Sequence, residues 1–169
     1  MRVPLITGNW KMNTMVSEAI ELSNEMRSGL DEIDGVDKVI CPPFTSLATV
    51  YKLIKGSSIK LGAQNMYFES KGAFTGEISP IMLAELCQFV IIGHSERRQY
   101  FGESGEIINK KVKAALKIGL KPILCIGEKL EDNEAARTEK VVIRQLELAL
   151  AGVDNLTGLV IAYEPIWAI

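Results

Sequence analysis

Phe89-Val90-Ile91-Ile92-Gly93-His94-Ser95-Glu96-Arg97-Arg98 turns from wholly apolar to strongly charged within a few residues. Its first four residues form an uninterrupted apolar run of strand length, rich in β-branched side chains, as expected of a parallel strand covered on both faces. Gly93 ends the run. Beyond it stand the chain's only histidine, His94, then Ser95 and the charged trio Glu96, Arg97 and Arg98. A buried strand that delivers polar side chains at its C-terminal end is the mouth of a β/α unit. Taken alone, a histidine after a strand is as often a hydrogen-bonded structural residue as a functional one, so its meaning depends on what the rest of the chain brings to it.

Working outward, strand and helix alternate without a break. Val3 to Ile6 begins a short strand that ends in a polar turn from Gly8 to Asn13. Val16, Ala19, Ile20, Ser23, Met26 and Leu30 recur at helical spacing, and Gly35 closes that segment before a second strand, Val36 to Cys41. Pro42 and Pro43 stop the strand. Leu47, Val50, Tyr51 and Ile54 share one face of a second helix, Gly56 follows it, and Ile59 to Gln64 reads as the third strand. The next connection, Asn65 to Ile78, exceeds the roughly two to six residues usual for such links, which assigns the loop a task of its own. Ser79 as N-cap and Pro80 at the first helical position start a helix through Cys87. A helix from Ser104 to Ile118, a strand from Pro122 to Ile126, a helix from Asn133 to Leu150 and a sixth strand from Leu159 to Tyr163 complete the order. The last strand reaches Glu164, Pro165 and an apolar ending.

With 169 residues the chain suits one domain, 1–169, large enough to bury a single core. A hydrophobic content of 47% with 24% charged residues excludes a disordered chain, and a net charge of −2 argues against a nucleic-acid surface. Cys41, Cys87 and Cys125 are odd in number, far apart and set in apolar stretches, so they read as thiols of a reducing compartment, the cytoplasm by default. No stretch reaches membrane-spanning length, and the first residues lack a signal peptide's apolar core.

Six strands alternating with five helices imply a parallel sheet with right-handed crossovers. A doubly wound sheet has one topological switch, whereas a β/α barrel gathers functional side chains around one rim. Asn9 and Lys11, His94 and Glu96, Glu128, and Glu164 all fall at C-terminal strand ends, which favours the barrel.

These residue types suit one kind of chemistry. Glu164, beside Pro165, Ile166 and Trp167, is placed to be desolvated, which strengthens a carboxylate as a base. His94 precedes a turn whose N–H groups could face the ring and keep it neutral, and a neutral imidazole donates a hydrogen bond to a carbonyl oxygen. Lys11 and Asn9 add a fixed positive charge and a neutral donor. Each alone is more often a surface residue. Together they fit proton abstraction beside a carbonyl through an enediolate. No dinucleotide loop, phosphate-binding GxxxxGK[ST], Ser/His/Asp set or metal-ligand cluster is present, so no cofactor or metal is expected.

The motifs GNWKMN (8–13), CPPF (41–44), GAQN (62–65), GAFTGEIS (72–79), IIGHSERR (91–98), CIGE (125–128) and AYEPIWAI (162–169) together resemble the triosephosphate isomerase family, in the same order. The resemblance implies interconversion of D-glyceraldehyde 3-phosphate and dihydroxyacetone phosphate, a glycolytic and gluconeogenic step. It implies that Asn9 and Lys11 bind substrate, that His94 is the electrophile and Glu164 the proton-shuttling base, and that Glu96 supports Lys11. The pairing of a carboxylate base with a neutral histidine at a helix start is established for that family. Ile169 is expected to border the substrate. The resemblance further implies a dimer in which Thr75, Gly76 and Glu77 of the long loop enter a partner's site near its Asn9 and Lys11.

A complete barrel of that family has about 250 residues and eight strands, so this chain reads as the first six strands, ending inside the loop expected to act as a lid. Turnover is accordingly expected to be weak or to depend on a completing partner, because the family's phosphate grip lies in the later loops. Open strand edges are expected to drive assembly into an oligomer or pairing with a completing fragment. The alternative is a non-catalytic truncated barrel that serves as an oligomerising or folding fragment.

Overall fold

Six parallel strands lie side by side in the order in which the chain makes them: β1 (Leu5–Asn9), β2 (Asp37–Cys41), β3 (Ile59–Ala63), β4 (Phe89–Ile92), β5 (Lys121–Ile126) and β6 (Val160–Tyr163). This computed structural model describes residues 3–169; Met1 and Arg2, where the sequence reading looked for a leader, lie outside the described residues. Since no strand is inserted out of order, the sheet has no topological switch and every crossover runs in one sense, the arrangement of a barrel wall. Among the described residues seven α-helices accompany it: α1 (Val16–Asp31), α2 (Leu47–Ile54), α3 (Pro80–Ala84), α4 (Ser95–Tyr100), α5 (Gly105–Lys117), α6 (Leu130–Glu134) and α7 (Thr138–Leu150).

Strand side chains alternate between two apolar clusters, as the period of two demands. Ile40, Leu61, Val90, Ile92, Leu124 and Ile126 pack outward among the helices, in one cluster with Val50, Leu83, Ile108 and Val112. Val39, Cys41, Phe89, Ile91 and Ile123 pack inward, flanked by Leu5, Val160 and Ala162. Burial on both faces explains why the strands read as continuous apolar runs. The edge strands are the exception, for Ile6 is 65% exposed and Ile161 49% exposed on the outer face.

Close approach explains one internal glycine. A Cβ on Gly62 would lie 2.6 Å from Cys41 Sγ and 3.1 Å from Val39 Cγ1, so β2 and β3 could not pack with any larger residue there.

Several boundaries depart from the sequence reading, and the helix expected from Pro80 through Cys87 ends at Ala84, where the Leu86 and Cys87 amides both close on the Leu83 carbonyl. Pairing with β2, from Leu5 opposite Asp37 to Asn9 opposite Cys41, carries β1 past Ile6 and draws the polar Gly8 and Asn9 into the ladder. The SERR turn is a helix, α4. The long helix expected over 133–150 is two, α6 and α7, broken where Ala136 takes φ +53° and the Arg137 amide bonds the Asp132 carbonyl at 2.8 Å. The expected Ser79 cap forms, with its Oγ accepting from the Met82 amide at 3.2 Å, and Ser104, expected as the first helical residue, is instead the N-cap of α5, its Oγ accepting from the Ile107 amide at 3.4 Å.

Two buried charges, Glu103 and Lys111, belong to one network. Glu103 Oε1 accepts from Lys111 Nζ at 2.6 Å and from Arg97 Nε, and Lys111 Nζ also donates to Asn65 Oδ1 at 2.7 Å. Burial pushes the Lys111 ammonium down, and Glu103 works against that shift. The network thereby joins the middle of α4, the segment after it, the middle of α5 and the first residue of the long loop. The loop keeps its own shape above that anchor: the Tyr67 amide bonds the Ile78 carbonyl at 2.8 Å, and the Tyr67 ring lies 4.2 Å from Phe68 and 4.7 Å from Phe74. Residues 69–77 project into solvent.

Candidate active site

Lys11 follows β1 with φ +53°, a left-handed conformation that costs a non-glycine residue on the order of 1 kcal/mol or more and must be held by its surroundings. Three contacts hold it. Its amide donates to Asn9 Oδ1 at 3.0 Å, its carbonyl accepts from Gln64 Nε2 at 2.8 Å, and its ammonium donates to Glu96 Oε1 at 2.8 Å. Gln64 Nε2 also reaches the Cys41 carbonyl at 2.8 Å, so one amide ties Lys11 to the end of β2. The motif GAQN contained Gln64, but nothing local marked it as the support of Lys11.

His94 leaves β4 as the N-cap of α4 and is 6% exposed. Its Nδ1 lies 3.3 Å from the Glu96 amide nitrogen and 3.4 Å from Glu96 Oε2. The two contacts demand opposite protonation of Nδ1. A main-chain N–H can only donate, and the carboxylate already holds the Lys11 ammonium, so Nδ1 is the acceptor and the ring proton sits on Nε2. The expectation that N–H groups of the SERR segment face the ring agrees with this geometry.

Asn9, Lys11, His94 and Glu96 border one cavity of about 870 Å³, together with Gln64 and Glu77. Gly76 borders it too, from the same chain's long loop, while Thr75 lies exposed. Glu164 borders a separate, narrow crevice with Gly93 and Ser95, the residues on either side of His94. Glu164 and His94 therefore adjoin the same strand end. Ile169, exposed at the chain's end, borders neither space.

Glu164 is placed by main chain. The ladder between β5 and β6 continues past the strands, with the Glu164 amide on the Ile126 carbonyl and the Ile166 amide on the Glu128 carbonyl, each at 2.9 Å. Gly127 lies so close that a Cβ there would overlap the Glu164 carbonyl oxygen. Gln145 clasps the Gly127 peptide from α7, giving and receiving a hydrogen bond at 2.9 Å each.

The expected desolvation of Glu164 by its apolar neighbours is not seen: Glu164 is exposed. Trp167 is instead engaged by Glu128, which is 1% exposed and accepts from Trp167 Nε1 and Tyr163 Oη, each at 3.1 Å. Glu128 thus faces the segment after β6 rather than the rim cavity. Burial pushes its carboxyl up, but donors from Trp167, its own main chain and Tyr163 outweigh burial and leave it below its ordinary 4.5. Because the folded chain holds this proton more weakly than the unfolded chain, the stabilisation is complete above pH 4.5 and is lost as pH falls through the lower folded value. In a Trp10→Phe background, Trp167 fluorescence is expected to change in that acid range, and Glu128→Gln is expected to remove the transition. An identical acid transition in Glu128→Gln would show that another group controls Trp167.

The cysteines are free, and burial pushes the thiols of Cys87 and Cys125 up to about 12 and that of Cys41 higher still, which leaves them poor nucleophiles at neutral pH. No helix of the described residues is long and apolar enough to cross a membrane.

Comparison with known proteins converges on one group. The family model described as triosephosphate isomerase matches residues 4–169. Triosephosphate isomerase of Dehalococcoides mccartyi is 59% identical over 169 residues, covering 100% of this chain and 66% of the relative, and that of Chloroflexus aurantiacus is 52% identical over 172 residues, covering 100% and 69%. The crystal structure of triosephosphate isomerase from Bartonella henselae superposes with a TM-score of 0.92 at 39% identity, covering 98% of this chain and 69% of that one. The chain thus spans about two thirds of the length of these relatives.

Proposed function

The chain belongs to the triosephosphate isomerase family over residues 4–169, and from that premise we propose that it interconverts D-glyceraldehyde 3-phosphate and dihydroxyacetone phosphate. The observation that carries the reading is the cavity in which Asn9, Lys11 and His94 meet, with Glu96 joining the ammonium to the imidazole end of α4.

Glu164 removes the proton from the carbon beside the substrate carbonyl, and the electron pair of that C–H bond becomes the enediolate double bond. The carbonyl oxygen takes up the negative charge. His94 Nε2–H donates to it, the Lys11 ammonium stabilises it, and Asn9, whose Oδ1 is engaged by the main chain, offers its amide N–H groups. The proton of the neighbouring hydroxyl then passes to the charged oxygen, so that the charge moves to the other oxygen, and returning the abstracted proton to the neighbouring carbon as the new carbonyl forms completes the isomerisation, so the chemistry consumes no cofactor.

We propose further that copies of the chain associate, with Thr75, Gly76 and Glu77 seated against another copy near its Asn9 and Lys11. The exposed 69–77 segment, stiffened by its aromatic stack, and the uncovered Ile6 and Ile161 support this. Free thiols throughout support a reducing location, the cytoplasm. Incubation with dihydroxyacetone phosphate in deuterated water should yield glyceraldehyde 3-phosphate and substrate deuterated at the exchanging carbon, above the rate in buffer. Buffer-level exchange would reject the enzymatic reading, and light scattering showing only a compact monomer would reject the assembly.

A further inference from the structure

Arg97 and Arg98 are neighbours in sequence with opposite tasks. Arg97 binds Glu103 and lies 4.5 Å from the Phe101 ring, whereas Arg98 spends its guanidinium on two main-chain oxygens: Nε donates to the Gly93 carbonyl at 2.7 Å and Nη2 to the Cys125 carbonyl at 3.0 Å. The last paired residues of β4 and β5 are Ile92 and Leu124, so Gly93 and Cys125 are the next position along, where the strands part. There the guanidinium stands in place of a rung.

We propose that Arg98 is a positioning residue, which fixes the imidazole of His94 by clamping the carbonyl that precedes it. The inference rests on the isomerase reading and adds a member to its machinery. The Gly93 carbonyl belongs to the peptide that leads into His94, and holding its oxygen sets the plane from which the histidine departs. Gly93 takes φ +72°, and a Cβ there would lie 2.9 Å from Arg98 Nη2 and 3.1 Å from Ile108 Cδ1, so the turn and the arginine are fitted to each other. From this turn His94 reaches the Glu96 amide through Nδ1, which leaves Nε2–H for substrate. A planar guanidinium fixes the separation and direction of the two carbonyls it holds, whereas an ammonium on a flexible stem holds its acceptors less rigidly. Gly93, Ser95, Arg98, Cys125 and Glu164 border the same crevice, so the clamp stands between the strand end carrying the imidazole and the segment carrying the base. Burial disfavours the charge on Arg98, yet the site keeps a cation there.

As the only histidine, His94 gives unambiguous imidazole nitrogen signals in the labelled full chain. The parent should show an unprotonated, hydrogen-bonded Nδ1 and a protonated Nε2. Arg98→Met should mix the two tautomers, averaging the nitrogen shifts, and lower kcat by about 10²-fold with KM within a few-fold, as expected when a reacting group is misplaced by about 1 Å. Arg98→Lys should recover part of both. A folded Arg98→Met with parental His94 signals overturns the proposal, as does one that loses only thermal stability. If Arg98→Met does not fold, Arg98→Lys must show the averaging, and a parental spectrum in it overturns the clamp. If neither folds, the parent must show trans-hydrogen-bond coupling between Arg98 Nε and the Gly93 carbonyl carbon, and its absence overturns the clamp. A parent without turnover rejects the isomerase reading while the spectra still judge the clamp; a parent that turns over beside an indifferent Arg98→Met rejects the clamp alone.

Discussion

Replacing Glu164 by glutamine is expected to lower isomerase turnover by about 10²–10⁴-fold, the range typical of losing a positioned general base. The amide keeps the shape of the carboxylate but cannot accept a proton at neutral pH. Because Glu164 is exposed and is placed by its main chain on Ile126, the exchange should change folding stability by only about 0.5 kcal/mol. KM should move little, since the side chain acts on the reacting carbon rather than on the remainder of the substrate. A coupled assay alongside thermal melts separates the outcomes. If Glu164→Gln retained parental turnover, the base would have to be another group, and the mechanism given above would be wrong.

The second large effect concerns stability. Glu103→Ala is expected to cost about 3–5 kcal/mol, because it leaves the Lys111 ammonium, 3% exposed, without its carboxylate. Against a typical total of about 5–15 kcal/mol this is a large share. A 4 kcal/mol loss corresponds to roughly 8–16 °C in Tm for a chain of this size. Arg97, less buried, can turn to water, so the penalty centres on Lys111. A Glu103→Ala, Lys111→Met double variant should therefore recover part of the loss, as it removes the stranded charge. Chemical denaturation of the four proteins measures the coupling; strict additivity would show that Glu103 acts through packing alone. Since Lys111 also holds Asn65, the single variant should in addition loosen the loop that begins there.

Much of the fold was legible along the chain because its signals are local. Apolar runs such as 89–92, helical spacing from Val16 to Leu30, and the cap at Ser79 each depend on neighbours within a few residues. The strand order also followed, since uniform β/α alternation with right-handed crossovers leaves few arrangements. The failures had two causes, one a distant pairing and the other a local turn that the helical pattern hid. The β1 boundary moved because β2 offered five pairs, and the 133–150 helix broke where Arg137 found the Asp132 carbonyl.

At the site, residue types after strand ends identified Asn9, Lys11, His94, Glu96 and Glu164 as candidates, because a parallel strand's C-terminal end is the place from which side chains reach a shared rim. Only the tertiary structure decided how they are held. Lys11 meets Glu96 across 85 positions, Gln64 supports Lys11 across 53, and Glu128 holds Trp167 across 39. It also decided that, of two adjacent arginines, one serves a buried carboxylate and the other the turn beneath the imidazole. Periodicity records which face of an element is buried, whereas the partner of a buried polar group is set by where separate elements come to rest, and no local pattern carries that information.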